Sequence, residues 1–362
     1  MRVLIAPDSF SGTLSAAAAA EAMAIGWRRA RPFDELRLVP MSDGGDGLLE
    51  VVAAAVPGAV RTVAEVADAR GIATMAEWLR LPDGSAVVES ARACGLHQLP
   101  PERRDPLLTT TYGVGQLLIA AADAGALSIL VGLGGSATVD AGVGAAIALD
   151  CRLLREDGNG VRVGGRWAGD LHHVASVAAL GVPVVCAADV QAPLLGSEGA
   201  ARVYGPQKGA DPKAVELLEV NLTRVADVVE RDVGGGPWRD LPGAGAAGGL
   251  GFGLAAFAGA SLRPGAAEVA RLVGLDDAFG GVDLVLTGEG RLDAATAQGK
   301  VCGYLAGRAA DAGARALAVA GSVLPGTGER YDAVAALGPD GPQHPAEKVA
   351  EAAQSLASGL GR

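Results

Sequence analysis

The residues of this chain that could do chemistry are carboxylates, glycines and isolated cations. The four histidines are scattered, and none pairs with a serine or cysteine in a catalytic pattern: His97, His172, His173 and His344. Carboxylates with single cations suit phosphoryl transfer, which depends mostly on positioning and on neutralisation of charge by Mg²⁺, lysine and arginine. The spacing of these groups therefore decides where such chemistry could take place.

Three polar, glycine-containing stretches each follow a predicted strand. They are Asp8–Gly12 (DSFSG), Ser42–Gly47 (SDGGDG) and Gly288–Asp293 (GEGRLD). Aspartate, glycine and serine are common in any βα turn, so one such stretch alone is weak evidence for a site. Ligands of open α/β sheets bind at the carboxyl ends of the strands, so the three stretches together predict one ligand-binding crevice.

A fourth stretch, Val131–Thr138 (VGLGGSAT), joins a predicted strand to a predicted helix. Small residues let the backbone approach a phosphate, and N–H groups at a helix start attract anions. The stretch is not a Walker loop, because no lysine follows the glycines. A close-packed turn is an equally good interpretation, and Asp140 could either face a metal ion or cap the helix.

Two further candidates are single residues. Asp189 follows the apolar strand predicted at 182–187 and is a candidate base or metal ligand, although it could simply cap the next turn. Lys208 lies among turn-forming residues, where it could contact a phosphate or carboxylate or be solvated.

The segment 242–249 (PGAGAAGG) formally matches G-x-G-x-x-G. No strand is predicted before it, and no acidic residue lies about 20 positions further on to hold a ribose. We therefore interpret 242–249 as a flexible or close-packed loop and not as a dinucleotide site.

Two groups of elements must position these residues. Strands predicted at 3–6, 36–39, 284–287, 316–320 and 334–336 alternate with helices at 15–30, 297–312 and 346–358, which indicates a doubly wound parallel sheet built from both ends of the chain. Between them we predict strands at 60–66, 74–81, 86–89, 128–131 and 182–187 and helices at 113–124, 139–150 and 213–230. The predicted fold is α/β with two domains, one discontinuous (1–57 and 281–362) and one inserted, mixed α/β (58–280).

Composition limits the classes of function. The 362 residues are 50% hydrophobic and 20% charged, which indicates a globular protein with two domains. The net charge of −11 argues against a nucleic-acid partner. No apolar run is long enough for a membrane span, and no signal peptide precedes the first strand, so we expect a cytoplasmic protein with a small-molecule substrate. We expect its four cysteines to be reduced and buried. The sequence leaves open whether the protein forms a homodimer.

Taken in order, the motifs resemble those of the bacterial type I glycerate kinases over nearly the whole chain. The resemblance rests on APDSF, SDGGDG, TTTYGVGQ, GLGGSAT, DVQAPLLG, GPQKGAD, PGAGAAGGLGFG and GEGRLD followed by Thr296 and Gly299-Lys300. It implies a flavodoxin-like domain interrupted by an insert. It also implies transfer of phosphate from ATP, with Mg²⁺, to a hydroxyl of D-glycerate or a closely related hydroxy acid.

The resemblance also implies roles for individual residues. Asp189 would act as the base at the acceptor hydroxyl, with Lys208 and Arg291 neutralising charge. Mg²⁺ or its water shell would be held by Glu289 and Asp293. The acceptor pocket would be shaped by Asp8, Ser9, Ser11, Asp43 and Asp46. The nucleotide would be bound by Gly134, Gly135, Ser136, Thr138 and Lys300.

The chain departs from the family pattern at four positions. Ser11 stands where the family usually has lysine, Val139 and Ala192 where it has asparagine, and Ala295 where it usually has glutamine. A lysine that contacts an anion contributes about 1.5–3 kcal/mol through a charge-assisted hydrogen bond. Two alternatives therefore stay open: a kinase for a less anionic hydroxy compound, and a catalytically weak protein that binds nucleotide or metabolite as a sensor.

Overall fold

The structure is a computed structural model that describes residues 1–10, 12–188, 190–294, 296, 300–338 and 340–360. Its contacts divide the chain into two compact units. The first unit contains Met1–Asp43, Glu50–Val56 and Gly265–Arg362, and the second contains Gly44–Leu49 and Pro57–Pro264. The predicted α/β class is confirmed, whereas the domain boundaries drawn from the sequence stay a prediction.

The elements are numbered in chain order. The strands are β1 (Arg2–Ile5), β2 (Glu35–Leu38), β3 (Val60–Ala67), β4 (Ala73–Arg80), β5 (Ala86–Glu89), β6 (Ile129–Gly132), β7 (Arg152–Leu154), β8 (His173–Ser176), β9 (Val184–Ala188), β10 (Ser261–Pro264), β11 (Leu284–Leu292), β12 (Arg315–Val323) and β13 (Ala333–Ala336). The helices are α1 (Ala16–Ala30), α2 (Leu48–Ala55), α3 (Ala91–Cys94), α4 (Tyr112–Asp123), α5 (Val143–Ala148), α6 (Gly165–Ala168), α7 (Ala200–Tyr204), α8 (Pro212–Asp232), α9 (Ala246–Ala258), α10 (Gly265–Leu272), α11 (Leu275–Ala278), α12 (Val301–Asp311) and α13 (Pro345–Gly359).

The first unit is built on a parallel sheet with strand order β13–β12–β11–β1–β2. Three of the four residues of β1 are buried, as a central strand of a parallel sheet requires. Helix α1 begins after Ser15, whose hydroxyl accepts a hydrogen bond from the Ala18 N–H at 3.3 Å, so the predicted N-cap is confirmed. Helices α1 and α13 pack closely, because Gly26 leaves room for the Ala350 carbonyl, which an alanine at position 26 would meet.

The second unit is built on a six-stranded sheet with order β10–β9–β6–β5–β4–β3. Its pairs are parallel from β10 to β5, and β4 and β3 are antiparallel. Strands β7 and β8 form a separate antiparallel pair. A large apolar core joins the sheet to helices on its faces and includes Trp78, Leu117 and Phe252.

Two predicted elements are wrong in their bounds. Strand β11 continues to Leu292 instead of ending at 287, because it pairs with β12 from Leu284 to Glu289 and again at Arg291 and Leu292, so Gly288–Leu292 is strand and not a βα turn. Helix α5 begins at Val143 and not at 139, since Ala141 and Gly142 have positive φ angles of 54° and 72°.

The glycine-rich segment 242–249 agrees with the close-packed loop interpretation. Helix α9 formally starts at Ala246, but Ala247, Gly248 and Gly249 have non-helical angles with positive φ. The segment is close-packed, because a Cβ on Gly248 would meet the Thr138 carbonyl. The start predicted for α12 at 297 lies outside the described residues.

Candidate active site

The first unit brings together three carboxylates, Asp8, Asp43 and Glu289, which we call the acidic cluster. Asp8 follows β1, and its N–H donates to the Gly288 carbonyl at 2.8 Å, so the pairing with β11 continues past the end of β1. Its Oδ1 accepts a hydrogen bond from the Ser9 N–H at 2.6 Å. Burial, together with the charge of Asp43, raises the pKa of Asp8 well above its ordinary value.

Glu289 is the most buried carboxylate of the acidic cluster, with 7% of its surface exposed. Its Oε1 accepts a hydrogen bond from the Thr296 hydroxyl at 2.9 Å. Burial raises the pKa of Glu289 to about 7, opposed by the Thr296 hydrogen bond and the charge of Lys300. Asp8 and Glu289 therefore bind their protons more tightly than ordinary carboxylates do.

Asp293 and Arg291 lie at the end of β11, beside the acidic cluster in sequence. The Asp293 N–H donates to the Thr296 hydroxyl at 3.1 Å, so Thr296 links Asp293 to Glu289. Arg291 is exposed, and its Nε lies 3.8 Å from Asp293 Oδ2. Lys300 is the N-cap of α12, where a phosphate would also meet N–H groups of the first helical turn.

The second unit holds a buried cation, Lys208. Only 3% of Lys208 is exposed, so the interpretation that it is solvated is wrong. Its Nζ donates to the Ser136 Oγ at 2.9 Å and to the Thr138 carbonyl at 2.8 Å. Burial lowers the pKa of Lys208 to about 8, opposed by Cys94 and Asp140. We call Lys208 with Ser136, Thr138 and Asp140 the lysine cluster.

Asp140 is fully buried and acts as a structural acceptor. Its oxygens accept hydrogen bonds from the Thr111 N–H at 2.9 Å and the Thr111 hydroxyl at 3.0 Å. They also accept from the N–H groups of Gly142 at 3.1 Å and Gly144 at 3.3 Å, at the start of α5. Burial still raises its pKa, against these hydrogen bonds. This geometry supports the capping interpretation of Asp140 over metal binding.

The predicted phosphate-binding stretch is only partly at the surface. Gly135 is exposed and Gly134 half-buried, whereas Ser136 and Thr138 are buried at 4% and 0% exposure. The Thr138 hydroxyl donates to the Ala247 carbonyl at 3.4 Å, inside the unit. Asp46 lies so near Gly135 that a Cβ there would meet its carboxylate. The glycine backbone is therefore the part of this stretch that a ligand could reach.

Several predicted residues lie outside the described part of the chain, namely Ser11, Asp189 and Ala295. A surface groove of about 480 Å³ is lined by residues that include Ala188, Val190, Gln191 and Arg263. At the other two departures, Val139 is fully buried and the Ala192 carbonyl accepts a hydrogen bond from Gly245 N–H at 2.9 Å.

Sequence reasoning missed the role of Thr111. Its hydroxyl donates to Asp140 and accepts from the Ala145 N–H at 3.0 Å, which ties α4 to α5. The three consecutive threonines before α4 were the available sign, since a polar run next to an apolar helix needs buried partners. Among the described residues, no group of three or more His, Cys, Asp or Glu is placed to hold a metal ion, and no helix is long and apolar enough to cross a membrane.

Comparison with known proteins identifies the family. A family model described as "Glycerate kinase family" matches residues 3–360. The chain belongs to the glycerate kinase family. The resemblance of its motifs is thus confirmed, and the chain is a kinase with an alcohol acceptor.

Individual members of the family are similar in sequence to this chain over most of their length. A glycerate kinase of Halalkalibacterium halodurans is 41% identical over 92% of this chain and 87% of its own. A glycerate kinase of Bacillus subtilis is 38% identical over 99% of this chain and 98% of its own. A glycerate 2-kinase of Escherichia coli is 40% identical over 83% of this chain and 80% of its own. A solved structure titled putative glycerate kinase 2, from Salmonella typhimurium, has a TM-score of 0.80 at 37% identity and covers 99% of this chain and 98% of its own.

Proposed function

We propose that this chain transfers the γ-phosphoryl group of ATP to a hydroxyl of D-glycerate. The observation that carries the proposal is the identity of 38–41% with glycerate kinases from three bacteria over 83–99% of the chain. The Escherichia coli relative is named a glycerate 2-kinase, so the 2-hydroxyl is the first position to test.

Two features of the units support phosphoryl transfer. Catalysis of this reaction consists mainly of positioning and of neutralising the charge that moves with the phosphoryl group. Lys208 supplies a cation held in place by two hydrogen bonds, and Lys300 begins a helix whose first N–H groups favour phosphate. We assign the exposed guanidinium of Arg291 to the same task.

We propose that Mg²⁺ binds beside the acidic cluster, with Glu289 of that cluster and Asp293, which Thr296 links to it, as ligands directly or through water. The donor set fits, because Mg²⁺ prefers oxygen ligands and commonly takes one or two carboxylates, with waters and substrate phosphates completing its shell. The raised pKa of Asp8 and Glu289 is what a cation would reverse, since it stabilises the ionised carboxylates. When bound, the ion would neutralise charge on the nucleotide phosphates.

The assignment of residues to the acceptor substrate rests on the sequence motifs. We assign Asp189 as the base that takes the proton of the acceptor hydroxyl, and Asp8, Ser9, Ser11, Asp43 and Asp46 to the acceptor pocket. Gly134 and Gly135 expose backbone that a phosphate could approach, which supports their assignment to the nucleotide.

A coupled assay of ADP formation tests the proposal, with purified protein, ATP, Mg²⁺ and D-glycerate. We expect turnover with wild type and almost none with Asp189→Asn, whose neutral amide cannot accept the proton. Equal turnover by both would contradict the role of Asp189. No turnover above that of ATP alone would contradict the acceptor.

Ser11 motivates a second acceptor class, because a less anionic hydroxy compound would need no lysine at that position. The same assay with a panel of neutral polyols and hydroxy acids decides between the two. A preference for glycerate over every neutral compound removes the alternative. If a polyol is preferred, we expect Ser11→Lys to shift the preference toward glycerate by roughly 10- to 100-fold.

A further inference from the structure

Strand β3 forms one edge of the six-stranded sheet of the second unit. It is the last strand in the sheet order, and among the described residues β4 is the strand that pairs with it. Its residues at 60, 61, 63 and 65 are exposed, with Val60 at 57% and Val63 at 49%. Such an edge presents N–H and C=O groups to which the strand of another chain can pair.

The odd-numbered positions of β3 direct their backbone groups to this outer edge. In an antiparallel pair, alternate residues point their N–H and C=O toward the neighbouring strand. The Asp68 N–H donates to the Ile72 carbonyl at 2.7 Å, on the side of β4. The even-numbered residues of β3 therefore direct their N–H and C=O groups toward β4. In agreement, the N–H of Ala67 points outward and donates to Gln116 Oε1 at 2.7 Å. The accessible stretch of the edge is therefore 61–65.

Opposite charges lie on either side of Val63 along this edge. Arg61 forms an ion pair with Glu77 of β4 at 2.8 Å and keeps 41% of its side chain exposed. Glu65 is exposed and has no ion-pair partner among the residues that the structure describes. Charges on an edge usually oppose pairing with a foreign strand. Opposite charges placed symmetrically about one residue, however, complement the same segment of a second copy.

We propose that two copies of this chain pair antiparallel through β3, with Val63 of one copy opposite Val63 of the other. Arg61 of each copy then faces Glu65 of the other, and the two valines exchange two backbone hydrogen bonds across a two-fold axis. The guanidinium carries five donors and 41% of the Arg61 side chain is exposed, so a carboxylate of the second copy can reach it beside the partners that it has in its own chain. The valine side chains become covered in the same contact.

The register follows from the charges. A pairing centred on position 61 or 65 places like charges directly opposite one another, which is destabilising. A centre at 62 or 64 places each charge opposite an uncharged residue. The centre at 63 is the one within this stretch that gives two opposite-charge pairs, so we assign that register. This inference is independent of the proposed acceptor.

Charge reversal tests the dimer and its register together. We expect sedimentation equilibrium to show a wild-type dimer. In Glu65→Arg and in Arg61→Glu, each of the two cross-strand pairs becomes a like-charge pair, so we expect the dissociation constant to rise by at least about tenfold. An equimolar mixture of the two variants restores opposite charges in both pairs and is expected to form a heterodimer.

The control is Glu156→Arg, which reverses an exposed charge elsewhere on the second unit and should leave the dimer intact. Thermal melting and the kinase assay check that each variant is folded, and the isosteric Glu65→Gln gives a milder loss should a reversal lower the melting temperature. A monomeric wild type, a dimer insensitive to Glu65→Arg, or a mixture that does not re-associate would overturn the proposal.

Discussion

The acidic cluster of the first unit and the lysine cluster of the second accommodate their buried charged groups in different ways. The acidic cluster combines carboxylates of like charge, and both Asp8 and Glu289 have raised pKa values as a result of burial and of charged neighbours. The lysine cluster combines a cation with acceptors: Lys208 has two hydrogen bonds, and Asp140 accepts from three residues.

The difference supports the proposal that the acidic cluster takes part in binding a cation. Buried charge is tolerated when donors and acceptors match it, and is otherwise neutralised by a proton or a counter-ion. The lysine cluster is matched within its own unit, which suits a fixed positive group. The acidic cluster instead brings carboxylates of like charge together, and burial and that charge raise the pKa values of Asp8 and Glu289, which is what the proposed cation would reverse.

Replacement of the fixed cation should have the largest effect. We expect Lys208→Met to lower kcat/KM by about 100-fold or more, because the preorganised charge that we propose acts on the transferring group is lost. Lys213→Met removes an exposed lysine at the start of α8 and should leave kcat/KM unchanged. Steady-state kinetics at pH 7 checks both, and equal losses would show that Lys208 has no special part in catalysis. We also expect wild-type activity to fall as the pH rises through about 8, where Lys208 loses its charge.

The acidic cluster should make stability depend on pH in the opposite sense to an ordinary salt-bridged carboxylate. The pKa of Glu289 is about 7 in the folded protein against 4.5 ordinarily, so the folded state binds this proton more tightly. Its contribution is complete below pH 4.5 and is lost as the pH rises through about 7. Without divalent cations, the free energy of unfolding should therefore fall by on the order of 3 kcal/mol across this window.

Glu289→Gln tests that assignment, because the amide resembles the protonated acid and does not titrate. Urea unfolding at a series of pH values should show a flatter profile than wild type, with the remaining slope due in part to Asp8. The matched control Glu21→Gln changes an exposed residue of α1 and should keep the wild-type slope. An unchanged slope in Glu289→Gln would mean that its carboxylate is ionised in the folded protein.

The matched hydrogen bonds of the lysine cluster can be removed one residue at a time. Thr111→Val keeps the shape of the side chain but leaves Asp140 and the Ala145 N–H without the hydroxyl. We expect a loss of about 1–3 kcal/mol in the free energy of unfolding, measured with urea. Thr223→Val removes a hydroxyl that donates to the Glu219 carbonyl within α8, and it should change stability by less than about 0.5 kcal/mol.

The last pair of variants concerns the backbone beside the acidic cluster and that of α12. A Cβ on Gly288 would lie 2.5 Å from the Val319 carbonyl and 2.6 Å from Met23 Cε, so Gly288→Ala should cost about 1–3 kcal/mol. Gly307, inside α12, has nothing within 4 Å of such a Cβ, so Gly307→Ala should stabilise by about 0.5–1 kcal/mol. Chemical denaturation would contradict this account if both changes had the same sign.

Much of the fold could be predicted from the sequence, because its signals are local. The apolar runs of β1 and β12 and the Ser15 cap before an alanine-rich helix were sufficient to predict a parallel α/β sheet. The length of β11 could not be predicted in this way. Its residues Gly288 and Gly290 are typical of a turn, and they belong to a strand here because β12 pairs alongside.

The sequence motifs predicted which residues belong to the candidate site, but not the burial, pKa shifts and hydrogen bonds of their side chains. Glu289 and Lys208 were both identified from their positions, yet neither the burial that shifts their pKa values nor their partners can be inferred from spacing. Lys208 and Ser136 are 72 positions apart in the chain, so their contact is a product of tertiary packing. The same holds for Thr111 and Asp140, which are 29 positions apart.

The strand order of the first unit has a consequence for synthesis of the chain. β1 lies between β2 and β11, and nearly the whole second unit separates β2 from β11 in sequence. At a translation rate of roughly 5–20 residues per second, β11 is synthesised on the order of 10–50 s after β1, so β1 lacks one of its two neighbouring strands during that time. The second unit is nearly continuous in sequence and can fold meanwhile. During that interval the apolar surface of β1 and α1 is exposed, so nascent chains should depend on chaperones most strongly before β11 emerges.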